Sequence, residues 1–436
     1  MPEITQAISF LSKIANLGSA WRYPCYKKLF REKNFLSPLT HSSENHFVTA
    51  IRSACSNPLR HFAKASFVEW RYYSIISKEF HGIFGAAIFN PEQRFTKVAE
   101  SGLLVIVAGV AGHADFALAS SNEICWMKLF PMDALTFSED TTPTTAAAAT
   151  TAAAATSRAA AAIASVTGIH NGIELSIKQL STEHSIVELS GKGAPHVQLK
   201  SQGLLGATVP PQIGTDISKF PGSHWIVSNP ASVTQTSGTI SFDRSCWNET
   251  ATPSSKFPNF YSETLSTEKQ FSLNGSGYYE HSFGVIPMPL HGWDFCFVPN
   301  AENKNSLVMQ TYRNSRQLRY VDVHWDENGV MRHHRFEGDD LSIKWSRSIR
   351  HKNIKAQVPT ERLVHGTSKG FTLEVINTIS HQVPLLRPEK FFVRHFYISE
   401  EVGTTSWILR DNTGAILCDV RNQPSGGETA SFRFLS

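Results

Sequence analysis

Gly275–Asn314, GSGYYEHSFGVIPMPLHGWDFCFVPNAENKNSLVMQTYRN, decides the reading of this chain. It opens on Gly275 and Gly277, a Gly-x-Gly turn in which the missing Cβ permits positive φ. Tyr278–Phe283 follows as extended chain. Side chains alternate across a strand, so Tyr279, His281 and Phe283 share one face, and Tyr278 and Glu280 the other. After a bend at Pro287 and Pro289, Gly292–Phe297 aligns Trp293, Phe295 and Phe297 on one side. A polar turn at Asn300–Asn305 leads to the strand Leu307–Tyr312, with Tyr312 and Asn314 on one side. Three adjacent strands thus supply aromatic walls with a few polar groups among them, the usual make-up of a pocket for an apolar ligand.

Working outward, the chain from Phe67 has β texture. Phe67–Ile76 is aromatic and β-branched, and Phe80–Phe89 repeats this after a short polar turn. Strand-like runs continue at Leu103–Val110, Glu123–Leu129, Ile173–Gln179, Ser185–Leu189 and His196–Ser201, and then at Gly238–Phe242. Beyond Trp293 they resume at Leu307–Tyr312, Arg319–Trp325, Leu341–Trp345, Phe371–Ile376, Phe391–Ile398, Ser406–Arg410, Ala415–Val420 and Ala430–Phe434. Asn328-Gly329 is a hairpin signal. Short strands separated by turn residues predict an all-β chain of two consecutive antiparallel barrels or sandwiches. Thr141–Ser165 is Ala/Thr low-complexity sequence with no apolar face, and reads as an insertion in a strand-connecting loop. Ile4–Ile14 fits a short amphipathic helix.

Three strings resemble the carotenoid hydratase (hydroxyneurosporene synthase) superfamily, which also holds the fungal lipocalin-type Diels–Alderases. They are Glu69-Trp70-Arg71-Tyr72-Tyr73, Gly275-Ser276-Gly277-Tyr278-Tyr279-Glu280-His281-Ser282-Phe283-Gly284 and Gly292-Trp293-Asp294-Phe295-Cys296, in the family's order. The resemblance implies tandem lipocalin-like domains: an N-terminal extension at 1–66, a first domain at 67–288 carrying the insert at 141–165, and a second at 289–436. It also implies a pocket where the two meet and no cofactor. On that basis Glu69, Tyr72, His281 and Tyr312 are the acid or hydrogen-bond candidates. Trp70, Tyr279, Phe283, Trp293, Phe295 and Asn314 are the candidates for shaping the pocket. Asp294, opposite Trp293, is expected to bind backbone at the junction. The chain departs from the family pattern: Arg71, Phe283 and Phe295 stand where tryptophan is usual, and Tyr279, Glu280 and Ser282 replace His, Asp and Asn. A drifted pocket of this kind fits cyclisation or isomerisation of an unsaturated isoprenoid or polyketide as well as hydration. A non-catalytic carrier of an apolar molecule is the competing reading.

Composition removes other classes. With 436 residues, 41% hydrophobic and 18% charged, the chain can bury substantial cores. A net charge of +4 without a concentrated basic face argues against nucleic acid. His333-His334-Arg335 beside Glu337, Asp339 and Asp340 reads as a charge-mixed surface loop. The six cysteines lack C-x-x-C or even spacing and read as free thiols in a reducing, cytoplasmic setting. The eighteen histidines include no H-x-x-x-H or H-E-x-x-H, so no metal site is expected. Leu103–Ala111 is too short to span a bilayer, which takes roughly 20 apolar residues, and reads as a buried strand. No Walker loop, dinucleotide fingerprint or G-x-S-x-G elbow is present. What remains is cofactor-free acid chemistry in an aromatic pocket.

Overall fold

The computed structural model describes residues 67–89, 101–111, 123–139, 164–181, 183–206, 212–214, 224–243, 246, 260–262, 268–285, 292–312, 315–351, 356–386 and 393–434. The Ile4–Ile14 reading, the insert up to residue 163, Cys25 and Cys55 lie outside them.

The described residues form two antiparallel sheets. The first contains β1 (Phe67–Ser77), β2 (Phe80–Phe89), β3 (Gly102–Ala111), β4 (Glu123–Phe130), β5 (Leu135–Glu139), β6 (Ala164–His170), β7 (Ile173–Gln179), β8 (His184–Gly191), β9 (His196–Gly206), β10 (Gln212–Gly214), β11 (His224–Phe242), β12 (Phe260–Ser262), β13 (Lys269–Ser272) and β14 (Gly275–Val285). The second contains β15 (Gly292–Asn300), β16 (Asn305–Tyr312), β17 (Ser315–Glu327), β18 (Val330–Glu337), β19 (Leu341–Arg350), β20 (Gln357–Ser368), β21 (Phe371–Leu386), β22 (Val393–Arg410) and β23 (Ile416–Phe434). The first runs β12-β4-β3-β2-β1-β14-β11-β9-β8-β7-β6-β5 and curls into a near-closed barrel, with Phe130 of β4 against His170 of β6 at 6.2 Å between ring centroids. The second, β18-β17-β16-β15-β23-β22-β21-β20-β19, is a half-barrel. The expected all-β, tandem lipocalin-like architecture is therefore what the chain forms.

Local chemistry explains the elements. Burial in β7 and β8 alternates, so each presents one face to the core and one outward. β2 and β3 are apolar on both faces and buried along almost their whole length. Their even and odd residues serve different cores. Phe84, Ala86, Ile88, Leu103, Val105 and Val107 fill the first barrel. Ile83, Leu104, Ile106 and Ala108 face the other way and pack with Phe295, Phe297, Val308 and Tyr320 of the second sheet. The half-barrel has its own core around Met309, Val321, Phe336 and Trp407. Asn328 and Gly329, at φ 55° and 82°, make the β17–β18 hairpin turn as expected.

Several local expectations change. Gly275 and Gly277 are extended residues of β14 rather than a positive-φ turn. Their need for glycine is close approach: a Cβ on Gly275 would lie 2.0 Å from Ile76 O, and one on Gly277 2.4 Å from Ser74 O. His333–Arg335 lies in strand β18, not in a loop, with His333 and Arg335 turned to Asp322 and His334 turned to Phe371. The last two residues assigned to the insert, Ala164 and Ser165, already belong to β6. Cys125, Cys246 and Cys296 are buried free thiols and Cys418 is half-buried, in line with the reading of the cysteines. None of the helices among the described residues is long and apolar enough to cross a membrane.

Phe297 ties the sheets together. Its ring stacks on Tyr278 at 5.1 Å and 9°, and Gly426 leaves the room, since a Cβ there would meet Phe297 Cζ at 2.3 Å. Phe297→Ala is expected to cost about 3–5 kcal/mol, the usual range for deleting a buried phenylalanine ring. Denaturant unfolding followed by fluorescence and circular dichroism measures this.

Candidate functional site

The seam between the sheets encloses a cavity of about 160 Å³. Val68, Trp70 and Tyr72 of β1, Phe89 of β2 and Glu280 of β14 form the wall from the first barrel. Trp293 and Phe295 of β15, Gln310 and Tyr312 of β16, Ile398 of β22 and Glu428 of β23 form the opposite wall. The alternation of β1 and β14 creates the first wall, because Tyr72 pairs with Glu280 and Trp70 with Ser282 across the ladder. Pairing of β15 with both β16 and β23 creates the second, setting Trp293 against Tyr312 and Phe295 against Glu428.

The acidic groups at the cavity are glutamates from both walls. Glu280 accepts hydrogen bonds from Ser282 Oγ at 2.5 Å and Tyr278 OH at 3.1 Å. Burial outweighs these donors and lifts its carboxyl from the ordinary 4.5 to about 7. Glu428 accepts from Trp293 Nε1 at 2.5 Å, and burial, reinforced by Glu280 and Glu401, lifts it to about 8. Glu400 faces Glu428 directly in the β22–β23 ladder and accepts from Tyr72 OH. Burial, with Glu428 next in weight, pushes it well above the carboxylate range. Tyr72, raised chiefly by burial and then by Glu400, stays a phenol. On the far wall Gln310 Nε2 donates to Tyr312 OH at 2.9 Å, and Tyr320 OH donates to Gln310 Oε1 at 3.0 Å.

The sequence candidates divide between the seam and the interior of the first barrel. Trp70, Tyr72, Trp293, Phe295 and Tyr312 line the cavity. Glu69, Tyr279 and His281 point into the first barrel, where His281 Nε2 donates to Glu69 Oε1 at 2.8 Å with both side chains buried. Beside that pair, Arg71 Nη1 donates to Gln179 Oε1 and to Tyr279 OH, each at 2.9 Å. This gives Arg71 its role where tryptophan is usual in the resembling family: it is the polar hub of the first barrel. Phe283 lies opposite Glu69 in the ladder, with its side chain outside the described residues, as is Asn314 altogether. Asp294 turns into the second barrel and pairs with the buried Arg362 at 3.1 Å, which also forks onto Glu401 at 2.6 and 2.7 Å.

Residue-level reading missed Glu400 and Glu428, which sit in no motif, and Gln310, whose role follows only from the β15–β16 pairing. Glu280 was legible as facing away from His281; that this direction is the seam was not. Among the described residues, no group of three or more His, Cys, Asp or Glu is placed to hold a metal ion.

Fold and site together define a tandem-barrel protein with an aromatic, carboxyl-bearing cavity at the seam. No family model and no curated protein matches the sequence. Solved structures do match its fold. The crystal structure of CghA aligns with a TM-score of 0.50 at 12% identity, over 85% of this chain and 89% of that one. CghA solved with Sch210972 aligns at 0.46 and 12%, over the same 85% and 89%. A candidate AttH protein from Nitrosomonas europaea aligns at 0.41 and 12%, over 84% and 92%. At these identities the likeness to CghA shows a shared fold.

The seam carboxyls make stability depend on pH. With folded pKa values above 4.5, Glu280 and Glu428 hold protons in the native state that the unfolded chain has released. Between about 4.5 and 8 the native state therefore binds more protons, and stability falls as pH rises through that window. Thermal melts across it should show the midpoint descending, and Glu280→Gln with Glu428→Gln should flatten the slope and raise the midpoint at its alkaline end.

Proposed function

We propose that the seam cavity binds an apolar, unsaturated small molecule of isoprenoid or polyketide type and promotes its cyclisation, isomerisation or hydration by acid chemistry of its own side chains. The observation that carries this reading is the meeting of Trp70, Trp293, Phe295 and Tyr312 with two buried carboxyls, Glu280 and Glu428, whose proton affinity is lifted into the neutral range. A general acid works best when its pKa lies near the working pH. A carboxyl that keeps its proton inside an apolar wall can add it to a double bond, and the faces of the surrounding rings stabilise the cation that forms. Loss of a proton from the neighbouring carbon back to the same carboxylate gives an isomer; attack by an internal double bond closes a ring, whose new cation then returns a proton to the carboxylate; attack by water, whose extra proton goes back to the carboxylate, gives an alcohol. With a carbonyl-bearing substrate, the same O–H polarises the carbonyl by hydrogen bonding. The walls hold the reacting carbons together, and that orientation can by itself supply several kcal/mol, from effective molarities of roughly 10⁵–10⁸ M.

In this reading Glu280 and Glu428 are the proton donors, and Tyr72 and Tyr312 orient the substrate. Glu69 and His281, behind the sheet, support strand β14 from the first barrel. The fold likeness to CghA is compatible with this assignment and carries nothing about substrate.

Incubation of the full chain with a metabolite extract of its native host, followed by mass spectrometry, tests the reading. An enzyme depletes one unsaturated compound and yields an isomer or a hydrated product, whereas a carrier returns its ligand unchanged. Glu280→Gln or Glu428→Gln should lower the rate by about 10²–10⁴, the usual loss on removing a proton donor. Glu69→Gln should lower it much less. A rate that collapses with Glu69→Gln and survives both other substitutions would move the chemistry into the first barrel.

A further inference from the structure

Among the described residues, the lining of the seam cavity carries no positive charge: none of them is Lys, Arg or His, although Glu280 and Glu428 both stand on its walls. Their hydrogen-bond donors, Ser282, Tyr278 and Trp293, are all neutral. Glu400, opposite Glu428 in the ladder, has one oxygen held by Tyr72; its other oxygen, Oε2, is buried and has no hydrogen-bond partner.

A wall meant only to hydrogen-bond a neutral ligand could be built from amides, and Gln310 shows one in place on the same lining. Carboxyls cost more. Their charged form is poorly solvated there, and like charges placed directly across an antiparallel ladder destabilise it. What a carboxyl offers beyond an amide is full charge when a cation arrives. The indole and phenol rings of Trp70, Trp293 and Tyr312 border the same space, and aromatic rings attract a cation as well. Both features point to one kind of ligand group.

We propose that the molecule taken up by the seam cavity carries a basic nitrogen, bound as its ammonium against Glu428 and Glu280, with the aromatic walls around the carbons next to it. This deepens the function proposed above and rests on its placement of the ligand site in the seam. The proton balance is simple. The ammonium enters with its proton, one carboxyl releases its own to solvent, and the complex becomes a charge-assisted hydrogen-bonded pair. The remaining carboxyls keep their protons and stay available as acids. Glu401, whose charge also bears on Glu428, is held by Arg362 in the second barrel.

Three probes on one carbon skeleton separate the possibilities: cyclohexylmethylamine, cyclohexylmethanol and cyclohexanecarboxylate. Each is titrated into the full chain at about pH 6.5, where carboxyls raised to the neutral range are still largely protonated. Tryptophan fluorescence reads binding, and calorimetry in two buffers of different ionisation enthalpy counts protons. The amine should bind about tenfold tighter than the alcohol or better, with the carboxylate weakest. About one proton should leave per amine bound, and none per alcohol. Glu428→Gln, which keeps an acceptor for Trp293, should abolish the preference while leaving alcohol binding in place. Equal affinity for amine and alcohol without proton release overturns the ammonium inference and leaves the cavity as a ligand site. Failure of all three probes to bind overturns both.

Discussion

Strands β1, β2, β3 and β14 are covered on both faces, and the rest of the molecule follows from that. A sheet segment buried on one side needs one set of apolar residues; here alternate residues must satisfy two cores. Tyr73, Phe84 and Val105 serve the first barrel, while Tyr72, Ile83 and Ile106 serve the seam. The second sheet answers with Phe295, Phe297, Val308 and Tyr320. Because β15 begins straight after β14 in the chain, the strand that ends the first sheet and the one that opens the second both supply the seam. The cavity is the part of this contact that side chains leave unfilled.

Each barrel also buries an arginine on the side away from the seam. Arg71 is met by neutral acceptors, Gln179 and Tyr279, and Arg362 by the carboxylates of Glu401 and Asp294. Burial alone lowers the proton affinity of such a group, and carboxylate partners of this kind more than restore it for Arg362. Arg71 and Arg362 thus hold their charge inside the barrels, while Glu280 and Glu428 stand on the cavity lining. One sheet thus separates two electrostatic regimes a single side chain apart, as the neighbours Arg71 and Tyr72 show.

Much of this was written in the period of two. The alternation in Tyr278–Phe283 correctly separates Tyr278 and Glu280 from Tyr279 and His281, and the alignment of Trp293, Phe295 and Phe297 is real. What periodicity cannot carry is which strand lies beside which. β1 pairs with β14 some two hundred residues away in sequence (Arg71 opposite His281), and β15 pairs with β23 across nearly the whole second half. Without those partners, candidates from both faces of one sheet were pooled. Glu400 and Glu428 stand in no motif that would mark them. β18 and β20 escaped notice for a related reason: VMRHHRFE and QVPTERLVHGTS show polar groups, such as His333 and Arg335 on Asp322, that are satisfied only by adjacent strands.

A cavity set in a seam has a mechanical consequence. Trp70 and Tyr72 belong to one barrel, Trp293 and Tyr312 to the other, so a molecule lodged among them becomes part of the joint. Anything that prefers the joined arrangement stabilises it by mass action, in proportion to the logarithm of its concentration. The occupant would then act as mortar between two curved walls. The angle at which the walls meet and the tightness of their grip on it become a single quantity, so a change that loosens the joint far from the cavity also changes the fit inside it.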